Sequence, residues 1–232
     1  MIERVMSSQV LQSHRVVSKA TPSSHVLPKA WPQGVTYLTS PEYSRNIDHQ
    51  LLRLDKDREK TSAIPFVALK ARGPSPLVRI KPISNPSHPA NGQHGLFATQ
   101  NLLPDTLILP YIGFVHGSVD ADPTSDYDLG LDGELGIAVD ASSMGNETRF
   151  INDYRGVSAT GPNAEFRDVV VDFGNGVPQK WIGVFVLSAG KVKSGKRAKG
   201  IAKSEEILVS YGKGFWNGRR GEEQLEISGD VK

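Results

Sequence analysis

Beyond residue 90 the sequence holds no sustained 3.6-residue apolar pattern, and this excludes most architectures open to a chain of 232 residues. A helical bundle needs that period throughout, and a doubly wound parallel sheet needs it in alternation with strands. What the sequence offers instead is a series of short β-like runs: Leu77–Lys81, Thr106–Val115, Tyr127–Leu131, Leu135–Asp140, Glu165–Asp172, Trp181–Ser188 and Glu206–Tyr211. Gly, Pro, Asn and Asp punctuate them. The pattern predicts a mainly β domain. No repeat of 20–50 residues is present, so a solenoid or propeller is not expected.

The N-terminal third reads differently. Residues 1–30 are rich in Ser, Gln, Pro and Val without periodicity, as in a mobile tail. Ser40-Pro41-Glu42 has the form of a helix start: a capping Ser, then Pro where its missing N–H does no harm. Tyr43, Ile47, Leu51 and Leu54 follow at helical spacing and predict an amphipathic helix to about residue 58. Lys70–Pro76, with Gly73, Pro74 and Pro76, reads as a linker.

Composition closes several routes. The chain has no cysteine, which removes a disulfide scaffold, a cysteine-ligated metal and a thiol nucleophile. Its six histidines do not cluster at ligand spacing, so no metal site is expected. Trp181–Gly190, the longest nearly uncharged apolar stretch, is far shorter than the ~20 residues that span a bilayer. No apolar signal segment opens the sequence, so an intracellular protein, nuclear or cytoplasmic, is expected, with no membrane partner. Gly190–Arg197 nearly spells a phosphate-binding loop, but Arg197 stands where Ser or Thr must hold magnesium. Neither a Gly-x-Ser-x-Gly elbow nor a dinucleotide-binding Gly-x-Gly-x-x-Gly turn is present.

Charge is unevenly spread behind a net of +2. Residues 1–90 carry a net +7, residues 91–154 a net −9 with Arg149 as their one basic residue, and residues 155–232 a net +4. The acidic block could steer a basic partner, or be a solvated surface with none. The run Lys191, Lys193, Lys196, Arg197, Lys199 and Lys203 reads first as an exposed hairpin loop. No aromatic platform is interleaved with it, so direct nucleic-acid binding is not expected.

Four short motifs remain, in fixed order: Gly92-Gln93-His94-Gly95-Leu96-Phe97-Ala98; Tyr111-Ile112-Gly113; Arg149-Phe150-Ile151-Asn152-Asp153-Tyr154, with Pro162-Asn163 beyond a short insertion; and Glu205-Glu206-Ile207-Leu208-Val209-Ser210-Tyr211-Gly212. Each alone means little more than a turn or a strand end. Together they resemble the SET-domain family of protein lysine methyltransferases, from about Leu77 to Trp216. The resemblance implies a β-clip fold of short sheets with pseudoknot-like C-terminal threading. It divides the chain into a tail (1–39), a helix and linker (40–76), the SET domain (77–216) and a C-terminal tail (217–232).

It also implies a chemistry. The family transfers the methyl group of S-adenosylmethionine to a lysine ε-amine, cofactor and lysine meeting from opposite faces. Gln93-His94-Gly95 is similar to the family's cofactor-binding glycine turn, with Gln93 where Gly is usual and Gly92 a possible compensation. Asn152-Asp153 is similar to its Asn-His pair beside the adenosyl group, with Asp in place of His; a largely backbone contact there implies that the Asp153 side chain matters little. Arg155–Gly161 is an insertion. Tyr211 matches the catalytic tyrosine, which the resemblance also places among the cofactor-binding residues. Tyr111 and Tyr127 match aromatic positions of the cofactor pocket or lysine channel, Tyr111 with a share in catalysis. Phe215 and Trp216 would close the channel, or serve only as an apolar C-terminal anchor. The substrate implied is a lysine-containing protein, with a histone as one candidate. The chemistry needs neither nucleophile nor metal: desolvation lowers the lysine pKa, and aromatic walls attract both cations. A catalytically silent SET module that binds a peptide or scaffolds a complex is the alternative, favoured by the altered glycine turn, Asp153 and the insertion.

Overall fold

The computed structural model describes residues 26–53, 64–69, 73–190, 195–212 and 215. Among them are fourteen short strands: β1 (Thr36–Tyr37), β2 (Glu42–Tyr43), β3 (Phe66–Ala68), β4 (Val78–Pro82), β5 (His94–Ala98), β6 (Leu107–Pro110), β7 (Phe114–His116), β8 (Asp128–Asp132), β9 (Ile137–Asp140), β10 (Met144–Gly145), β11 (Asn152–Asp153), β12 (Ala164–Asp172), β13 (Gln179–Val186) and β14 (Leu208–Val209). The chain is mainly β, as its period predicts. Two four-stranded sheets, ordered β3-β12-β13-β6 and β2-β7-β9-β8, are joined by three two-stranded ones, β4-β5, β1-β10 and β11-β14.

The long hairpin β12–β13 organises the interior. Its turn is fixed by the Asp172 carboxylate, which accepts from the amides of Gly174, Asn175 and Gly176. Side chains alternate across a strand, and both faces of β13 are buried. Val184 and Val186 enter a core with Leu96, Leu102, Ile201, Ile207 and Val209. Trp181 and Phe185 enter a second core with Val115, Val139, Val169 and Val171. Each fully buried large apolar side chain contributes roughly 1.5–3 kcal/mol, so β13 ties the two cores into one body.

The C-terminal segment is gripped from several directions. The backbone around Glu205–Ile207 bonds to β5, where the Ala98 amide donates to Glu205 O and the Ile207 amide to Leu96 O. β14 then pairs parallel with β11, Asn152 opposite Leu208 and Asp153 opposite Val209. Asn163 closes the grip: its side chain donates to Glu206 O (2.7 Å) and accepts from the Leu208 amide (2.8 Å), and its own amide donates to Leu208 O (3.0 Å). Both ends of the loop 154–163 therefore hold the segment that runs to Tyr211, the pseudoknot-like arrangement of the β-clip build.

Three expectations need correction or placement. The amphipathic helix from Ser40 does not form: Glu42–Tyr43 is β2, paired parallel with Phe114–Val115, and the chain then makes a single 3-10 turn, His49–Leu52, capped by Asp48. Sheet pairing outweighs helical spacing here. The Tyr43 hydroxyl donates to Gln179 at 2.6 Å, and Leu52, not the exposed Leu51, is buried. Residues 54–58 of that helix lie outside the described residues. Of the tail, residues 1–25 also lie outside them, but residues 26–39 run along the domain, with β1 paired to β10. The run Thr106–Val115 is two strands, because β7 turns at Gly113 to pass so close to β9 that a Cβ there would collide with the Asp140 carbonyl.

Candidate active site

The parallel pairing of β11 with β14 brings the third and fourth motifs together at one wall of a cavity of about 720 Å³. The β4–β5 hairpin supplies a second wall, and the end of β6 with the residues before β8 a third. Of the residues singled out in the sequence, Gln93, His94, Tyr111, Tyr127, Asn152, Asp153, Tyr211 and Phe215 line it. Gly95 does not, and Trp216 lies outside the described residues.

The altered glycine turn has a clear geometry. The left-handed residue is Gly92, at φ +83°, which leaves Gln93 in an ordinary conformation. The Gly92 amide donates to Ile83 O and the Ile83 amide to Gln93 O, closing the hairpin loop. Gly95 is constrained from behind: a Cβ would stand 2.5 Å from Glu206 Oε1 and 3.0 Å from Ile83 Cδ1.

Glu206 is the junction of this wall, and the sequence reading assigned it no role. Its Oε1 accepts from Asn152 Nδ2 at 2.8 Å, and its Oε2 lies 3.2 Å from His88 Nε2. The Ala90 amide donates to His88 Nδ1 at 3.0 Å, so the ring proton belongs on Nε2 and is donated to Glu206. Asn152 Nδ2 also reaches His94 O at 3.3 Å. One carboxylate thus fixes the Asn152 side chain and the His88 loop, and packs on the glycine turn. The pairing of a Glu with a His more than a hundred residues away leaves no signal in a single sequence.

Asp153 also does more than the sequence suggests. Its carboxylate is buried and accepts from the Tyr211 amide (2.8 Å), the Arg155 amide (2.8 Å) and the Arg155 guanidinium (2.7 Å). The side chain therefore sets the backbone position of Tyr211 and anchors the start of the 155–161 insertion.

The tyrosines are held through their hydroxyl protons. Tyr211 donates to Ile151 O at 2.6 Å, and its ring meets Phe215 edge-on at 4.9 Å between centroids. Tyr111 donates to Tyr127 O at 2.8 Å. The Tyr111 backbone is fixed by β13, its carbonyl accepting from the buried Trp181 indole at 2.8 Å. Burial, first of all, pushes both hydroxyls well above the ordinary tyrosine range, and the Asp153 charge adds to it for Tyr211. Both stay protonated, and each proton is committed to a carbonyl. What these oxygens can offer a ligand is their lone pairs.

Arg149 belongs to the site as well. Its guanidinium donates to Ala141 O (2.8 Å) and Ser142 O (3.1 Å), and lies 4.5 Å over the Tyr127 ring and 5.0 Å over Phe150. Its position as the one base in an acidic block was the visible signal. Such a cation over two rings fixes the aromatic wall. The cavity volume falls within the usual range for small-molecule sites, about 300–1,000 Å³. Its lining joins aromatic rings to a few fixed polar groups, which suits a ligand with a planar apolar part and a charged end. Among the described residues no group of three or more His, Asp or Glu side chains is placed to hold a metal ion.

No protein-family model and no curated protein matches the chain. Among solved structures it is similar to the crystal structure of the Chaetomium thermophilum polycomb repressive complex 2, at 23% identity and a TM-score of 0.43, covering 60% of this chain and 16% of that one. It is also similar to that complex bound to GSK126, at 21% identity and a TM-score of 0.42, covering 63% and 17%. A third is ctPRC2 in an autoinhibited conformation bound to S-adenosylmethionine, at 20% identity and a TM-score of 0.39, covering 56% and 15%. The chain spans about a sixth of the length of the chains it matches, and the likeness is one of fold.

Proposed function

We propose that the chain is a SET-fold protein-lysine N-methyltransferase that uses S-adenosylmethionine, acting inside the cell, in nucleus or cytoplasm, on a lysine of a protein substrate such as a histone. The observation that carries this reading is the convergence, in one cavity, of His94, Tyr111, Asn152-Asp153 and Tyr211 from four motifs far apart in sequence, with Tyr127 beside them. Bound there, the cofactor would supply an electrophilic methyl group.

The chain's own residues would do the rest. The backbone of Gln93 and His94, with Asn152, would hold the polar end of the cofactor. Arg149, Tyr127 and Phe150 would form the rigid wall of its site. Tyr111, Tyr211 and Phe166 would shed water from the lysine and favour its neutral amine, since desolvation disfavours the ammonium. Neither tyrosine serves as a base, because burial keeps both hydroxyls protonated. The lysine proton would leave to solvent. With their own protons held by Ile151 O and Tyr127 O, the Tyr211 and Tyr111 oxygens would accept from the amine and orient its lone pair.

One observation favours the alternative, a silent SET module. Asp153 and Arg155 pair at the cavity wall, placing two charges where the family has neither. Calorimetric titration with S-adenosylmethionine separates the readings. An active enzyme binds it, and Asn152→Ala weakens binding by about 1–3 kcal/mol, the loss of a hydrogen-bonding group with its partners left unpaired. A chain that takes up no cofactor contradicts the enzyme reading.

A further inference from the structure

The segment before the four motifs reaches their site. Pro32 lines the cavity. Its neighbour Trp31 meets the Phe150 ring edge-on, at 5.6 Å between centroids and 79° between planes. Phe150 in turn meets His94 edge-on at 6.0 Å. Phe150 and His94 both line the cavity, so an aromatic row runs from the N-terminal segment to the glycine turn.

A second contact grips the same piece of chain from its other end. The 3-10 turn Glu147–Phe150 leads directly into Ile151, Asn152 and Asp153. The Tyr37 hydroxyl donates to Glu147 Oε2 at 3.3 Å at the start of this turn, while Trp31 packs on Phe150 at its end. Trp31 and Tyr37 are themselves in edge contact at 5.0 Å. The Trp31 indole donates to Val35 O at 2.8 Å, and β1 is paired to β10, so the brace has its own anchorage.

We propose that Trp31 is a positioning residue of the cofactor cavity, bracing the Glu147–Phe150 turn, and through it Asn152 and His94, from outside the motif-bearing domain. The proposal rests on the cofactor reading of that cavity. It extends the functional unit upstream to residue 31, and it gives residues 26–39 a role that a tail would not have.

The test uses the full chain with Trp31→Ala, Trp31→Phe and Leu27→Ala, the last at an exposed position of the same segment. Affinity for S-adenosylmethionine is measured by calorimetry, and amide hydrogen exchange is followed residue by residue. Each edge-to-face pair is worth enough that losing the brace should weaken binding about tenfold. In Trp31→Ala, exchange should accelerate at the Arg149 and Ile151 amides, which donate to Asn146 O and Thr148 O, with β12 and β13 unchanged. Trp31→Phe should recover most of both losses, and Leu27→Ala should behave as the parent. Parent-like affinity in Trp31→Ala overturns the proposal. So does exchange that rises equally in β12–β13, which would mark a general loss of stability. A parent that binds no S-adenosylmethionine overturns the cofactor reading instead, and the exchange pattern still decides whether Trp31 braces the turn.

Discussion

Replacing Glu206 by Gln changes one oxygen to an amide nitrogen and leaves the shape intact. The carboxylate now accepts twice: from Asn152 Nδ2 at 2.8 Å and from the His88 ring at 3.2 Å. A glutamine offers one acceptor and one donor group. Turned one way, its NH2 faces the Asn152 amide; turned the other, it faces the His88 Nε2–H. Moving the ring proton to Nδ1 would relieve the second clash, but would oppose the Ala90 amide that now donates there. Each arrangement that keeps the Asn152 amide as it stands sets one donor against another, at about 1–3 kcal/mol. Glu206→Ala deprives both donors of their acceptor and should cost more, about 3–5 kcal/mol. Urea denaturation measures these values, with an unchanged slope confirming that the folded state is equally compact. Combining Glu206→Gln with Asn152→Ala should be less than additive, because the two side chains share a bond. A Glu206→Gln protein within about 0.5 kcal/mol of the parent, or additive with Asn152→Ala, would refute the junction at Glu206.

Asp153→Ala should destabilise by about 3 kcal/mol, since a buried carboxylate that accepts from the Tyr211 amide and from Arg155 is lost; it should also slow methyl transfer by releasing Tyr211, and parent-like stability in urea would show that the carboxylate does not hold the tyrosine. Burial raises the Glu147 carboxyl above its ordinary value, more than its bonds to the Ser75 amide and Tyr37 lower it. The folded state therefore binds this proton more tightly than the unfolded one. Glu147 should add stability in acid and lose that contribution as pH rises from the ordinary glutamate range through the raised folded value. Thermal midpoints of the parent and Glu147→Gln across that window should diverge, and parallel curves would refute the shift.

The sequence carried the β class because apolar alternation survives wherever a strand has a buried face: Glu165–Asp172 and Trp181–Ser188 fall within about two residues of β12 and β13. It could not carry the N-terminal third. Tyr43, Ile47 and Leu51 have helical spacing, yet the sheet edge at Phe114–Val115 decides the conformation, and that edge lies seventy residues away. β1, β10, β11 and β14 are two residues long, too short for any periodicity to register. Tyr111, Tyr211 and Asn152 were legible because they sit in motifs with their neighbours. Glu206, His88 and Trp31 act through partners distant in sequence, and nothing local marks them. Asp153 was read as a substitution of small consequence because its bond to the Tyr211 amide exists only once the segment is threaded.

The central claim is tested most directly by transfer of a radiolabelled methyl group from S-adenosylmethionine to histones and, in parallel, to a total cell extract, comparing the parent with Tyr211→Phe. We expect label on lysine ε-amines with the parent. Loss of one of the two preorganised hydroxyls should cut turnover by a factor of about 10²–10³. Tyr211→Phe should stay folded, losing about 1 kcal/mol with its bond to Ile151 O. Label transfer by Tyr211→Phe at the parent rate would remove the residue on which the mechanism turns, and a parent that labels no lysine in either substrate pool would contradict the methyltransferase reading itself.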